Sequence, residues 1–188
     1  RAILIDDGSM DATGAVFEDA AATDDRFVVI RHPTPLGLGA ARNTGLDLVD
    51  SPVVGFLDAD DELTPTALAR MTGVLQSTGS DFVAGAYVRL RPHGTSYTAG
   101  RVQPWVASAT DPERRRTTIL EHPAAAANIV AWSKLSRREL WDDMRFPIGV
   151  AYEDQLVAQQ MYTRASAFDV IPDVVVRWRV RPDGSSIT

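Results

Sequence analysis

The densest chemistry in this sequence is Asp58-Ala59-Asp60-Asp61-Glu62, four carboxylates in five positions directly after the apolar run Val53–Leu57. A charged loop ahead of a helix explains one or two of them, because acids are favoured at a helix N-terminus. Four held together repel one another unless a cation is present. Hard divalent ions such as Mg²⁺ take oxygen ligands and often share them with a substrate's phosphates. Three further segments carry reactive or anion-facing groups: Asp6-Asp7-Gly8-Ser9, Gly37-Leu38-Gly39-Ala40-Ala41-Arg42-Asn43, and Tyr152-Glu153-Asp154.

Each segment has competing readings. An EF-hand starting at Asp58 fails, since its sixth position is Leu63 instead of Gly and its twelfth is Ala69 instead of Glu. A phosphatase that uses an aspartyl nucleophile in a DxD after a strand stays open, although Glu62 stands where Thr or Val is expected. The glycine pair at Gly37 and Gly39 is not a dinucleotide fingerprint, because Arg42 occupies the third glycine position and a Pro-rich loop precedes it instead of a strand. It reads either as a tight turn or as a helix N-terminus whose free N–H groups approach an anion. Glu153 and Asp154 open a helical pattern, where the helix dipole favours the anion.

The elements that must position these groups alternate between strand and helix, the pattern of βαβ units around a mainly parallel sheet. The pattern predicts strands over Ala2–Ile5, Phe27–Ile30, Val53–Leu57 and Asp81–Leu90. Helices are predicted over Asp11–Ala22, Leu38–Val49, Thr64–Ser77 with Thr64 as N-cap, and Glu153–Arg164. Beyond Leu90 the alternation fails, with a short helix expected after Arg114-Arg115-Arg116. A strand is expected over Ile129–Trp132, a helix over Arg137–Asp143 and a last strand over Val174–Val180, before Pro182-Asp183-Gly184. In this α/β arrangement the acidic run lies at the carboxyl end of a strand, where open sheets bind ligands.

Composition narrows the chemistry further. The 188 residues suit one domain, 1–188. The absence of cysteine removes disulfides, thiolate metal sites and cysteine nucleophiles. His32, His93 and His122 have no metal-binding spacing, so carboxylates are the metal ligands to consider. A net charge of −6 without a basic stripe argues against nucleic acid. Lys134 is the one lysine among 19 basic residues. No run approaches the ~18 apolar residues of a membrane span, and the start RAILIDDGS carries no signal-peptide pattern. The expectation is a soluble, cytoplasmic chain, with the inner membrane face as one place of action, whose first residues continue a pattern begun upstream.

IDDGSMD, GLGAARNTGL, FLDADDELTP and YEDQLVAQQMY, in this order and at these separations, resemble the family 2 glycosyltransferases with a GT-A type fold. WSKLSRRELW and RVRPDGSSIT are similar to the non-processive bacterial branch that acts in capsule and teichoic-acid-type polymer synthesis. The resemblance is weakest from about Pro92 to Ala127. It implies an inverting, metal-dependent enzyme that moves a sugar from a nucleotide-diphosphate donor, a UDP-sugar first among the candidates, to a hydroxyl acceptor. That acceptor would be a glycan, a lipid-linked molecule or a polyol phosphate.

Residue by residue, the resemblance places Asp6 and Asp7 at the donor's base and ribose. Asp58 and Asp60 become the DxD motif, with Asp60 on Mn²⁺ or Mg²⁺ and Asp58 at the ribose or the metal's waters. Arg42 falls near the diphosphate or in support of that loop. Asp154 becomes the general base, with Glu153, Trp132 and Lys134 on the acceptor side. The donor half would span about 1–90 and the acceptor half about 91–188. Two departures accompany it. The family's opening strand and helix, a VIPVYN-like run, do not occur in this sequence, and Arg177-Trp178-Arg179 lacks the glutamine of the processive QxxRW motif. The rival from another class is a non-catalytic nucleotide-sugar-binding module of a larger polymer-synthesis protein.

Overall fold

A computed structural model describes residues 1–181 of the chain. The closing Pro182-Asp183-Gly184 and the end of RVRPDGSSIT lie outside the described residues. The first unit is β1 (Ala2–Asp6), α1 (Thr13–Thr23) and β2 (Phe27–Arg31), with β1 and β2 parallel and joined by the crossover helix. Next come α2 (Leu38–Asp47), β3 (Val53–Gly55), β4 (Glu62–Leu63), α3 (Ala67–Thr78), β5 (Phe82–His93) and β6 (Ser96–Ala99). The chain continues through α4 (Pro104–Thr110), β7 (Arg114–Thr117), β8 (Lys134–Arg137), α5 (Glu153–Arg164) and β9 (Phe168–Arg179).

β1 and β2 form a two-stranded sheet, and the other strands form a seven-stranded one in the order β3-β8-β5-β9-β4, with β6 on β5 and β7 on β9. The expected α/β class with a central sheet flanked by helices is what the chain adopts. The mainly parallel character is corrected: among the described residues, only β5 and β9 run parallel in the larger sheet, and every other pair there is antiparallel. The reason lies in the connections. Parallel neighbours need a crossover, which the long path from β5 to β9 supplies, whereas β6 returns from β5 through the turn at Gly94-Thr95.

Alternation along β5 serves both faces of this sheet. Phe82 and Ala84 join a core with Leu46 of α2 and Val157, Met161 and Tyr162 of α5. Val83 and Tyr87 face a second core with Met71, Val74 and Leu75 of α3 and Val106 of α4. Where the register shifts at Gly85, a Cβ would meet the Val175 side chain at 2.5 Å, so glycine lets β5 and β9 close on each other.

Helix α5 begins and ends where the sequence predicts. The helix after the acidic run starts at Ala67 instead of Thr64, because the Thr64 hydroxyl donates to the Val174 carbonyl and pins that residue to β9. Arg114–Thr117 is a strand on β9, and the short helix expected after the arginines is a 3₁₀ turn at Pro123–Ala127. Residues 129–130 are irregular, a bend and turn follow over 131–133, and the strand begins at Lys134, whose side chain is drawn inward. Helix geometry over Arg137–Asp143 is confined to a 3₁₀ turn at Arg138–Trp141. The last strand starts at Phe168, since its fully buried beginning has no alternating pattern to betray it.

Candidate active site

The turn after β1 is built by its own aspartates. Asp6 is almost fully buried, its Oδ1 accepts the Ser9 N–H at 2.8 Å and its Oδ2 lies 3.3 Å from Arg31. The Ser9 hydrogen bonds hold the Asp6 carboxyl below the usual carboxylate range, with Arg31 adding to them. Asp7 Oδ1 lies 2.6 Å from His32 Nδ1 and accepts the Leu36 N–H, while Oδ2 accepts the Gly37 N–H. Burial pushes the Asp7 carboxyl up, but these hydrogen bonds outweigh it and leave it lowered. Asp7 therefore ties β1 to the loop that opens α2, and an open cleft lined by Gly8, Ser9, Met10, Arg31, His32 and Pro33 lies beside it.

One turn into α2, Arg42 is buried and its planar fork reaches two carboxylates on two other elements. Nη1 donates to Glu153 Oε1 at 2.5 Å and Nη2 to Asp58 Oδ1 at 2.7 Å, with the guanidinium 5.2 Å from the Phe146 ring centre. Asn43, beside it, exchanges two hydrogen bonds with the Phe146 backbone, and Gly39 gives room for the Pro147 carbonyl. Helix α2 thereby locks the segment leading into α5 against the acidic turn.

That turn is clamped from β9. Arg179 donates to the Asp60 carbonyl at 2.7 Å and to Glu62 Oε1 at 2.6 Å, and Arg181 Nε donates to Asp60 Oδ2 at 2.7 Å. Asp61 is buried, and its Oδ1 accepts the Arg179 N–H while Oδ2 has no partner among the described residues. Desolvation, with Asp58 and Asp60 nearby, pushes its pKa up to about 7. Asp58 and Asp60 each keep one oxygen without a protein hydrogen bond among the described residues.

No group of three or more His, Asp or Glu among the described residues is arranged as a metal cage. Two carboxylates with one open oxygen each nevertheless fit Mg²⁺ or Mn²⁺, because such ions take one or two protein carboxylates and complete their shell with water and substrate phosphate.

Asp154 follows Glu153 in the first turn of α5, after Tyr152 at φ 57°. It is half-buried, and its Oδ2 accepts the Ala131 N–H at 3.4 Å. Burial raises its pKa, while Arg42, the Ala131 N–H and Lys134 oppose that rise. Lys134 is buried beneath, and Trp132 packs against Tyr87 and Trp178 with centroids 4.8 and 6.0 Å away. The structure thus joins Arg42, Asp58 and Glu153 directly and places Asp7 at the start of the same helix, while Asp6 lies on Ser9 and Arg31. Trp132 stands within an aromatic cluster. His32 is a contributor that no motif singles out, whereas Asn43 and Arg181 fall inside the GLGAARNTGL and RVRPDGSSIT motifs, which do not reveal their partners. Their partners lie in other segments, at Asp7, Phe146 and Asp60.

The description "Glycosyl transferase family 2" matches residues 1–135. The chain is 26% identical over 182 residues to glycosyltransferase GlyA of Streptococcus pneumoniae, covering 95% of this chain and 26% of that protein. It is 30% identical over 141 residues to the uncharacterized glycosyltransferase EpsJ of Bacillus subtilis, covering 74% of this chain and 40% of the other. The chain therefore spans well under half the length of these two relatives. Among solved structures, residues 1–349 of S. aureus TarS in complex with UDP-GlcNAc superpose with a TM-score of 0.80 at 23% identity, covering 95% of this chain and 49% of that one. The likeness is one of fold and carries the GT-A type architecture. With the family match spanning residues 1–135, well over half of the chain, this protein belongs to glycosyl transferase family 2.

Proposed function

We propose that this chain is the catalytic domain of an inverting, metal-dependent glycosyltransferase that moves a sugar from a nucleotide-diphosphate donor to a hydroxyl acceptor in cell-surface polymer synthesis. The observation that carries the reading is the Arg42 bridge, because one side chain ties the acidic turn to the helix that presents Asp154. Donor and acceptor chemistry would then share one rigid frame. UDP-bound forms of the TarS segment support a UDP-sugar as donor. The succinoglycan biosynthesis protein ExoU, 38% identical over 82 residues, supports polysaccharide synthesis. No helix among the described residues is long and apolar enough to cross a membrane, and action in the cytoplasm is part of the proposal.

Asp60 and Asp58 would hold Mn²⁺ or Mg²⁺, which supplies positive charge to the donor's diphosphate as it leaves. Asp6 bounds the turn that faces the nucleoside, and Asp7 fixes the adjoining loop. Arg42 holds Asp58 in place and adds positive charge near the phosphates. Asp154 accepts the acceptor's hydroxyl proton as that oxygen attacks the anomeric carbon from the face opposite the nucleotide, so configuration inverts. A half-buried carboxylate, raised by burial and held back by Arg42 and Lys134, is suited to such proton transfer near neutral pH.

Calorimetric titration of UDP, CDP and GDP, with and without Mn²⁺, on this chain and on Asp60→Ala tests the donor site. Metal-dependent binding that the variant loses supports it. A nucleotide that binds equally well without metal, or binding unchanged in the variant, overturns the metal-site assignment. Release of UDP from a UDP-sugar then separates a transferase from a non-catalytic binding module, which would hold the donor unchanged.

A further inference from the structure

Beneath Asp154 lies a buried polar knot centred on Lys134. Lys134, the chain's one lysine, is only 3% exposed. Its ammonium donates to the carbonyls of Asn128 and Val130 at 2.7 and 2.6 Å and to Asn128 Oδ1 at 3.2 Å. An ammonium has three donors, and here three oxygens receive them, with the Tyr162 ring face 5.3 Å away. Fully buried Asn128 is anchored in turn, through its Nδ2 to the Gly85 carbonyl and through the Ser133 hydroxyl on its Oδ1, while Tyr162 Oη donates to its carbonyl.

This knot grips the backbone on either side of Ile129 and leaves the next N–H, that of Ala131, aimed at Asp154 Oδ2. The Lys134 N–H closes the turn on the Ala131 carbonyl at 3.2 Å. A packed apolar side chain would fill this space without the cost of burying a charge, so stability alone does not call for a lysine here. What the lysine adds is a positive charge, carried below its lowered pKa of about 7, and a defined carbonyl geometry under the carboxylate of α5.

We propose that Lys134 is a positioning residue for Asp154: its ammonium shapes the 128–131 turn so that the Ala131 N–H meets the carboxylate, and its charge holds that carboxylate ionised. This deepens the reading of Asp154 as the base and rests on it. The other charged or titratable groups facing Asp154 are Arg42 from α2, Asp58 from the acidic turn and Tyr87 from β5, with Glu153 preceding it on α5. Arg42 also acts on it, but Arg42 already bridges Glu153 and Asp58. Lys134 has its three donors on the turn that touches Asp154, and Asp154 is the acid that pulls the lysine's pKa back up against burial.

The experiment is carbon-13 NMR of the Asp154 carboxyl, assigned by Asp154→Asn, titrated in the wild-type chain, Lys134→Gln and Lys134→Met. Loss of the counter-charge is expected to raise the Asp154 midpoint by about one pH unit, a tenfold change in acidity. Lys134→Gln keeps two donors for the carbonyls and is expected to restore the Ala131 amide position that Lys134→Met loses. Should neither variant fold, the reciprocal coupling is read in Asp154→Asn. There the Lys134 midpoint falls by the same amount as the carboxyl's would have risen, since linkage is symmetric. An Asp154 midpoint unmoved in Lys134→Gln, or a Lys134 midpoint unmoved in Asp154→Asn, overturns the proposal. The base assignment is judged separately, by whether Asp154→Asn abolishes sugar transfer while Mn²⁺-dependent UDP binding persists.

Discussion

Arg42 Nη1 and Glu153 Oε1 meet at 2.5 Å across 111 positions of sequence, and both side chains are 6% exposed. The pair is more than a surface ornament, because Arg42 also holds Asp58 and so couples α2, the acidic turn and α5. Breaking such a buried pair leaves an uncompensated charge, which costs roughly 3–5 kcal/mol. Arg42→Ala is expected to lower stability on that order in urea denaturation. Arg42→Lys is expected to rescue only part of it, since one ammonium cannot span both carboxylates as a guanidinium fork does. In a double-mutant cycle, Glu153→Gln in the Arg42→Ala background should cost less than in the wild type. Additive losses would show that the two residues act independently.

Asp7 offers a prediction about the turn that faces the donor. Its two oxygens receive the Leu36 and Gly37 N–H groups and face the His32 ring, so its first effect is on the loop that starts α2. Asp7→Ala leaves those two N–H groups without their acceptor. It should cost about 1–3 kcal/mol and speed hydrogen exchange at Leu36 and Gly37. The pKa of Asp7 is lowered in the fold, so this contribution is present above the ordinary carboxylate value and is lost as the pH falls through the folded one. Wild type and Asp7→Ala should therefore converge in stability toward acid pH. A constant gap from pH 7 down to pH 2 would refute the assignment.

What the sequence made legible divides along the same line. β1, α2 and α5 announced themselves through apolar runs and helical spacing, and the acidic run at 58–62 marked itself by charge density. The clamps on that run did not, because Arg179 and Arg181 reach Asp60 from about 120 residues away and no local pattern encodes that pairing. Asp7 shows the converse difficulty. Its motif suggests a ligand contact, whereas only the folded turn reveals that both of its oxygens already hold the backbone. The antiparallel run of the large sheet was hidden for a further reason. Strand direction depends on whether a connection turns back or crosses over, and the stretch from Pro92 to Ala127 carries little periodicity to say which.

Lys134 predicts a pH dependence of stability with a definite sign. Burial draws its pKa down to about 7 from the 10.5 of a free lysine. Between those values the unfolded chain binds more protons than the folded one, so stability rises with pH across the window. Below about pH 7 the fold must carry the buried ammonium, and the cost is then complete. Lys134→Met removes the titration, so the wild type should gain on the variant as pH increases from 7 to 10. Urea midpoints taken in parallel at each pH isolate this group from Tyr87 and Tyr162, whose pKa values burial raises. A difference that is flat with pH would mean that the lysine keeps its proton throughout.

Asp154→Asn is the sharpest test of the chemistry, because it changes one protonation state and almost no volume. Asn cannot accept a proton from the attacking hydroxyl, and losing a positioned general base costs typically 10²–10⁴-fold in rate. The donor groups lie on other elements, at Asp58 and Asp60, and Asp154's hydrogen bond goes to Ala131 instead of to either of them, so Mn²⁺-dependent UDP affinity should stay near that of the wild type. The loss should therefore fall on turnover of a UDP-sugar with acceptor present and leave donor binding intact. A comparable fall in both would place Asp154 among the residues that shape the donor pocket, and the proton would then need another acceptor. Glu153 is a poor substitute, since its Oε1 lies on Arg42 and its side chain is buried. The rate assay and the calorimetry of the same variant thus decide whether α5 carries the base or only braces the acidic turn.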